Sequence, residues 1–291
     1  MIQLKNDHLI ASIHPKGAEL QELINPATQV NYMWSGDPAW WGKFSPVLFP
    51  IVGTLKDNTY IFNGQQYSLP RHGFARDRTF RAEQISETAA LFTLQDDSET
   101  RAVFPFAFSL TLHYQLDDDQ LTCKYVVNNR SDETMWFSIG AHPAFAVPLL
   151  KYRDEAKYTD HYLVFDRSNQ LVRYKLKDGL ISDETETVTL DHGKLRLNEE
   201  LFREDALVLK GLPDSEIRIE CSNHPHGLSF RWEDFPYFGI WATAGAGFVC
   251  LEPWCGIADN IHHEQQLEQK EGIQSLAPGE EWTRQWSVRC F

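Results

Sequence analysis

Alternation of apolar and polar residues with a period of two is the feature that most constrains how this sequence can fold. Every second residue is apolar in 109–116, and the pattern repeats in 121–128 after three consecutive aspartates at 117–119. This pattern is typical of antiparallel strands with one face in a core, and the acidic run indicates a turn between them. The same period recurs at 217–221, 228–232 and 282–290.

Helical patterns, by contrast, are scarce. Residues 152–162 and 262–271 are polar and predict no more than a turn or two of helix, because neither has a wide apolar stripe. Turn signals such as Asn63-Gly64 and Pro278-Gly279 separate many short segments. We therefore predict an all-β fold, a large antiparallel β-sandwich or barrel, and one domain that spans residues 1–291.

The charge balance limits the classes of partner. The chain carries 27 basic and 41 acidic residues, a net charge of −14, which disfavours nucleic acid and anionic lipid as partners. A small anionic substrate held by a local arginine or lysine remains compatible with this charge. The sequence contains neither a signal-peptide pattern nor an apolar stretch long enough to span a membrane, so we expect a cytoplasmic protein.

The five cysteines are odd in number and form no Cys-x-x-Cys pair, which favours reduced thiols over a disulfide framework. Cys123, Cys221 and Cys290 follow the strand pattern and are predicted to be small core residues.

One acidic residue interrupts an apolar segment. Residues 247–256 are apolar apart from Glu252, and a buried carboxylate is costly unless it is paired or functional. Desolvation raises the pKa of such a group and nearby donors lower it, so Glu252 is a candidate general base.

Two histidines lie in irregular segments between strand patterns. His72 precedes Gly73 and stands among Arg71, Arg76 and Arg78, a composition that fits either a solvated loop or a site for hydroxyls or an anion. His142 lies between small residues and Pro143. It is either a satisfied core histidine or a rigidly held catalytic acid.

Other chemistries lack their motifs. No dinucleotide-binding glycine fingerprint, Walker loop or Gly-x-Ser-x-Gly turn is present. His224-Pro225-His226 and His262-His263-Glu264 contain metal-ligand residue types, but they lack the His-Glu-x-x-His spacing. We interpret them as surface histidines.

Five short motifs, taken in order, resemble the aldose 1-epimerase family, also called galactose mutarotases, and most closely its LacX-like branch. They are Phe49-Pro50-Ile51-Val52-Gly53, His72-Gly73-Phe74-Ala75-Arg76, Gly140-Ala141-His142-Pro143-Ala144-Phe145, Asp205-Ala206-Leu207 and Glu252-Pro253-Trp254. The resemblance implies a β-sandwich of the "supersandwich" type, with a sugar site in a cleft across one sheet. It also implies that neither a metal nor an organic cofactor is required.

The resemblance further implies roles for individual residues. His142 corresponds to the family's acid, Glu252 to its base, His72 to a second histidine that assists at the sugar, and Asp205 to an aspartate that holds hydroxyls. We also expect Trp241 or Trp254 to stack on the apolar face of the sugar.

Two departures from the family pattern concern the substrate. Galactose mutarotases carry an Asn-Arg pair after the first motif, whereas this chain has Thr54-Leu55-Lys56-Asp57-Asn58, which leaves Lys56 as the candidate substrate-binding cation there. The second motif resembles the hexose-6-phosphate mutarotase branch, in which the arginine that matches Arg76 helps to bind phosphate. Arg76 and Arg71 are thus candidate anion ligands.

The predicted function is mutarotation of an aldose or aldose phosphate by acid/base ring opening. Two alternatives stay open: a catalytically inactive carbohydrate-binding or regulatory protein on the same fold, and a metal-dependent sugar isomerase. The expected partner is a small sugar or sugar phosphate, and the expected assembly is a monomer or homodimer.

Overall fold

The computed structural model describes all residues 1–291 and is built almost entirely from strands. The strands are β1 Ile2–Lys5, β2 Ile10–His14, β3 Glu19–Asn25, β4 Val30–Asn31, β5 Thr59–Phe62, β6 Gln65–Ser68, β7 Arg81–Gln84, β8 Ala89–Gln95, β9 Phe108–Asp117, β10 Gln120–Asn129, β11 Met135–Phe137, β12 Ile139–Gly140, β13 Ala144–Ala146, β14 His161–Val164, β15 Gln170–Lys177, β16 Leu180–Thr189, β17 Lys194–Arg196, β18 Leu207–Lys210, β19 Glu216–Cys221, β20 Leu228–Glu233, β21 Tyr237–Trp241, β22 Phe248–Cys255, β23 Gln274–Leu276 and β24 Glu281–Cys290.

Helical structure is limited to one short helix and six 3-10 turns. The helix α1, Ser98–Val103, begins where the Asp97 side chain accepts a hydrogen bond from the backbone N–H of Thr100. The 3-10 turns are Lys56–Asn58, Ala75–Asp77, Leu150–Tyr152, Tyr158–Asp160, Glu199–Phe202 and Leu267–Gln269. The polar segments 152–162 and 262–271 therefore contain only single turns, as predicted. No helix is long and apolar enough to cross a membrane.

The hairpin predicted from the alternating pattern is confirmed. Strands β9 and β10 pair along their whole length, and a two-residue turn, Asp118-Asp119, joins them. Burial alternates residue by residue in both strands, so their apolar residues face the core and their polar residues face outwards.

Two large antiparallel sheets form the predicted β-sandwich. The first has the strand order β17-β14-β19-β20-β24-β10-β9-β8-β7, and the second has the order β12-β22-β21-β18-β15-β16, with β13 also paired to β22. The sheets contact each other through aromatic rings. The ring centroid of Phe230 in β20 lies 5.8 Å from that of Phe145 in β13 and 6.4 Å from that of Phe238 in β21. Three smaller sheets, β1 to β4, β5 with β6, and β11 with β23, complete the fold.

One hydrophobic cluster extends from Leu4 to Cys290 and draws on both large sheets. All five cysteines are free thiols. Cys123 and Cys290 are buried in this core as predicted, but Cys221 is only half-buried, because it ends β19 near the surface. The prediction of one domain stays a prediction.

Strand β22 is the most enclosed element of the second sheet. All eight of its residues are buried, so both of its faces are covered, while β21 pairs along one of its edges and β12 and β13 pair along the other. A strand covered in this way is expected to be continuously apolar, and Glu252 is its one ionisable carboxylate.

A buried ion pair holds the loop that follows β22. Asp259 accepts hydrogen bonds from Lys270 Nζ at 2.8 Å and from the backbone N–H of Lys56 at 2.9 Å, and His263 Nδ1 lies 3.4 Å away. Burial alone would raise the pKa of Asp259, but His263 and Lys270 lower it to about 2. The interpretation of His263 as a surface histidine is therefore wrong, since its side chain is only 12% exposed and lies against this pair.

Candidate active site

A cavity of about 530 Å³ lies across the face of the second sheet. Strands β15, β16, β18, β21 and β22 contribute to its walls, together with the loops that carry the sequence motifs. The lining residues are Trp41, Val52, Gly53, Arg71, His72, Arg76, His142, Leu176, Gly179, Ile181, Asp205, Ala206, Val208, Trp241, Glu252, Trp254, Ile257 and Ala258. Every residue predicted for the site except Lys56 is among them.

Glu252 is buried in the wall of this cavity. The residue is 1% exposed, and its Oε2 atom has no hydrogen-bond partner. Burial raises the pKa of Glu252 well above its usual value, and the opposing charge of Arg71 only partly offsets that effect. Burial therefore favours the neutral form of this carboxyl.

The Trp254 indole needs two glycines beside it. A Cβ atom would lie 2.4 Å from the Trp254 ring at Gly140 and 2.3 Å from it at Gly239. These are the residues that pair with Trp254 and Glu252 in the neighbouring strands β12 and β21. The glycines thus allow a large ring to pack flat beside the buried carboxyl.

His142 is fixed to β22 by backbone hydrogen bonds on both sides. The N–H of Ala141 donates to the carbonyl of Pro253 at 3.1 Å, and the N–H of Leu251 donates to the carbonyl of Pro143 at 3.2 Å. As a result, His142 Nε2 lies 3.4 Å from Glu252 Oε2.

Two tryptophans enclose the His142 ring. It stacks on Trp41 at 4.9 Å and meets Trp241 edge-on at 5.6 Å. Burial, helped by the charges of Arg76 and Arg71, lowers the pKa of His142 to about 3. The imidazole is therefore neutral near pH 7.

Burial favours a neutral carboxyl at Glu252 and a neutral imidazole at His142. A neutral carboxyl beside a neutral imidazole contains as many protons as a carboxylate beside an imidazolium. His142 Nε2 and Glu252 Oε2 lie 3.4 Å apart and are not hydrogen-bonded, so the two side chains must approach each other before a proton can pass between them. Such a pair can remove a proton from one oxygen of a ligand while it supplies a proton to another.

His72 is held in a backbone conformation that turns its ring into the cavity. Its φ angle is +69°, and its N–H donates to the carbonyl of Gly53 at 2.9 Å. The N–H of Gly53 in turn donates to His72 Nδ1 at 3.1 Å, and the Nε–H of Arg71 donates to His72 Nε2 at 3.3 Å. Burial, together with His142 and Arg71, lowers the pKa of His72 well below its usual value, which favours the neutral imidazole.

Asp205 lies at the rim of the cavity. Its Oδ1 atom accepts a hydrogen bond from the N–H of Ala206 at 2.8 Å, and its Oδ2 atom lies 3.7 Å from Arg71. The guanidinium of buried Arg173 donates to the carbonyls of Glu204 and Asp205, both at 3.0 Å, and this fixes the turn. The φ angle of Asp205, +74°, is one that few residues other than glycine and asparagine adopt readily.

Arg71 and Arg76 add positive charge to the same rim. Arg76 donates to the carbonyl of Arg71 at 2.8 Å, and its Nε atom is buried without a hydrogen-bond partner. The nearest carboxylates lie beyond hydrogen-bond distance, since Asp77 is 3.8 Å from Arg76 and Asp205 is 3.7 Å from Arg71. Both guanidinium groups therefore keep donors for a ligand.

Lining residues carry four buried polar atoms without partners: Glu252 Oε2, His142 Nδ1, Trp254 Nε1 and Arg76 Nε. Buried polar atoms are normally hydrogen-bonded. The wall of the cavity therefore carries polar atoms that the protein itself leaves unpaired.

The structure places one predicted residue outside the cavity, adds one lining residue, Trp41, and adds one residue, Arg173, that supports the turn at Asp205. Lys56 lies outside the cavity, because its Nζ atom donates to the carbonyl of His263 at 3.2 Å. Trp41 and Arg173 were not predicted. Adjacent tryptophans at 40 and 41 in a polar segment were a usable signal for Trp41, whereas nothing in the strand pattern around Arg173 distinguished it.

Cys250 was also missed as a neighbour of the pair. Its sulfur and one ligand atom each of His142 and Glu252 lie within 4.8 Å of one another. These residue types also occur together in metal sites, so the metal-dependent alternative needs a direct test.

The comparisons with known proteins agree with this geometry. The sequence profile of the aldose 1-epimerase family matches residues 1–289, and the chain belongs to that family. The "Protein LacX, plasmid" of Lactococcus lactis subsp. lactis is 30% identical over 287 residues, which cover 95% of each chain.

Two solved structures have the same fold. The galactose mutarotase related enzyme from Lactobacillus acidophilus is 33% identical with a TM-score of 0.94, and the match covers 100% of this chain and 97% of that one. A galactose mutarotase-like protein from Lactobacillus casei is 29% identical with a TM-score of 0.91, and the match covers both chains completely. The all-β mutarotase-like fold predicted from the sequence is confirmed.

We predict that position 73, next to His72 in the second motif, tolerates only glycine. Gly73 has a φ angle of +70°, and a Cβ atom there would lie 2.3 Å from the Phe49 carbonyl oxygen, whereas Gly64 has a φ angle of +75° and nothing within 4 Å. We expect Gly64→Ala to cost only the ~1–2 kcal/mol of left-handed backbone strain. Gly73→Ala should cost several kcal/mol, measured by urea unfolding, because the clash adds to that strain. Equal losses in the two variants would contradict this account of the His72 turn.

Proposed function

We propose that this protein is a mutarotase that interconverts the α and β anomers of an aldose or aldose phosphate by acid/base ring opening. The observation that carries the proposal is the buried pair of Glu252 and His142, 3.4 Å apart in the wall of a polar-rimmed cavity. Ring opening needs one base and one acid close together, and each well-placed proton transfer contributes ~10²–10⁴-fold to the rate.

In the proposed reaction, Glu252 and His142 exchange protons with two oxygens of the sugar. In ring opening, Glu252 as carboxylate takes the proton from the C1 hydroxyl, and His142 as imidazolium gives a proton to the ring oxygen. The C1–O5 bond breaks and the open-chain aldehyde forms. The C1–C2 bond then rotates, and ring closure returns both protons to give the other anomer.

Burial favours the neutral pair, which is the protonation state present while the open-chain aldehyde is bound. A cyclic sugar therefore requires a proton to pass from Glu252 to His142 before ring opening. Hydroxyl groups that donate to the carboxylate would lower the pKa of Glu252 and support that transfer. The His72 ring and the Asp205 carboxylate are placed to hold other hydroxyls, and the Trp241 ring to stack on the apolar face of the sugar.

An anionic substituent on the sugar would explain the two arginines. Arg71 and Arg76 lie at one rim with weakly engaged carboxylates, in a chain whose net charge is −14. Guanidinium groups bind phosphate through paired N–H donors. We therefore propose an aldose phosphate as the preferred substrate.

Replacement of Glu252 by glutamine tests the role of the pair. Glutamine resembles the neutral carboxyl in size, so Glu252→Gln should leave the melting temperature nearly unchanged while it lowers kcat by ~10²–10⁴-fold. Exchange NMR of α and β anomers, corrected for the uncatalysed rate, measures the turnover. Glu22→Gln removes a hydrogen-bonded carboxylate outside the cavity and serves as the matched control.

Near-wild-type exchange in Glu252→Gln would contradict the assignment of Glu252 as the base. Wild-type protein that binds sugars without accelerating exchange would support the binding-protein alternative instead. Loss of exchange after chelation would support the metal-dependent one.

The lowered pKa of His142 and the raised pKa of Glu252 predict how the rate depends on pH. Because the pKa of His142 is lowered to about 3, a second proton joins the pair only in strong acid. The pair loses its proton as pH rises through the raised pKa of Glu252. kcat/KM should therefore show no acid limb near the ordinary histidine pKa and should fall as the pH rises through the raised pKa of Glu252. An acid limb near the ordinary histidine pKa of ~6.5 would show that His142 is solvated.

Arg76 tests the preference for a phosphate. Arg76→Ala should reduce kcat/KM for aldose 6-phosphates by at least ~10-fold, in line with the loss of a charge-assisted hydrogen bond, and affect free aldoses much less. Arg78→Ala removes a neighbouring arginine that pairs with Glu99 outside the cavity and is the control. Equal losses for free and phosphorylated sugars would show that Arg76 acts only by supporting the loop.

A further inference from the structure

A second cluster of metal-ligand residues lies away from the cavity. His161 begins β14, Cys221 ends β19, and the two are directly opposite each other in the antiparallel register. Opposite residues in antiparallel strands project from the same face. His224 follows in the turn after β19, and none of the three lines the cavity described above.

The His161 ring is oriented as a metal ligand would be. The residue is 2% exposed, and its Nδ1 atom lies 2.9 Å from the carbonyl oxygen of Lys157. A carbonyl can only accept, so Nδ1 carries the hydrogen and Nε2 keeps its lone pair. Nε2 is buried without a partner. A histidine held through one nitrogen by a carbonyl, with the other free, is the usual arrangement at metal sites.

His224 faces the same point. Both of its ring nitrogens are buried without hydrogen-bond partners, and its ring packs on Tyr152 at 4.7 Å. The interpretation of His224 as a surface histidine is therefore wrong. One ligand atom each from His161, Cys221 and His224 lies within 4.8 Å of the others.

We propose that His161, Cys221 and His224 bind a Zn²⁺ ion, with water as the fourth ligand. Two imidazole nitrogens and a thiolate form a borderline-soft donor set that suits Zn²⁺. The Cys221 thiol loses its proton to solvent as the sulfur–zinc bond forms. Ligand atoms around tetrahedral zinc are ~3.3–3.6 Å apart, given bonds of ~2.0–2.3 Å. A shift of the three ligand atoms toward one another by about an ångström completes the zinc site.

The surroundings can supply that closure without disturbing the sheet. The turn 222–225 carries His224, and it is anchored at its start because the N–H of Ser222 and the Nδ2 of Asn223 donate to backbone carbonyls of the segment 155–160. The His224 ring, farther along the turn, can move toward two ligands fixed by β14 and β19. A bound ion would tie the turn to the sheet.

Cobalt substitution tests the site in the whole protein. Co²⁺ added to metal-free, reduced wild-type protein should bind one equivalent and give visible bands of tetrahedral cobalt together with a near-ultraviolet thiolate charge-transfer band. Zn²⁺ should displace it. Cys221→Ser should abolish the charge-transfer band, and His161→Ala or His224→Ala should weaken binding by more than the ~10–100-fold typical of outer-shell losses.

Two controls separate this site from other binding. His192→Ala removes a histidine that is 97% exposed and should bind as wild type does. Cys250→Ala removes the thiol beside His142 and Glu252 and should also keep the spectrum.

Zn²⁺ should raise the melting temperature of wild type but not of the near-isosteric Cys221→Ser, a readout that does not depend on activity. A wild-type protein without a thiolate band would overturn the proposal. A band that survives Cys221→Ser and disappears in Cys250→Ala would do so as well.

Discussion

The burial of Glu252 in a strand covered on both faces is the constraint on which the rest of the site depends. An isolated carboxylate there would be costly, and burial raises the pKa of the group well above its usual value. Burial therefore favours the protonated form of Glu252. The same desolvation acts on His142, 3.4 Å away, and lowers its pKa. Both shifts favour the uncharged forms of the two side chains.

The neighbouring features preserve that arrangement. Backbone hydrogen bonds from Ala141 and Leu251 fix the His142 segment to β22, and Gly140 and Gly239 make room for Trp254 beside Glu252. Behind the cavity, the buried pair of Asp259 and Lys270 holds the loop that carries Ile257 and Ala258. Charges buried in pairs with hydrogen bonds are costly to break, so this loop is rigid where it borders the cavity.

The sequence predicted the features that are local or that recur in order along the chain. Alternation in 109–128 predicted the central hairpin, and the strand pattern predicted an all-β sandwich. The ordered motifs predicted His72, His142, Asp205 and Glu252 as neighbours in one site. Their common cavity could not follow from spacing alone, since it is assembled by pairing between strands far apart in the chain.

The residues that the sequence misassigned or missed also depend on contacts between distant parts of the chain. Lys56 looked free in the sequence, but the fold turns its amine to the carbonyl of His263. Trp41 and Arg173 become parts of the site only through contacts with His142 and with the turn at Asp205. His224 lies in a polar turn by sequence, yet packing against Tyr152 and His161 buries its ring nitrogens.

The protonation state of Glu252 is the most direct test of this account. The infrared difference spectrum of wild type minus Glu252→Gln at neutral pH isolates the absorption of this one side chain. The account predicts the carbonyl stretch of a protonated carboxylic acid in the sugar-free protein. It also predicts conversion toward carboxylate when a cyclic sugar binds. A spectrum that shows only carboxylate in the sugar-free protein would contradict the protonated form of Glu252.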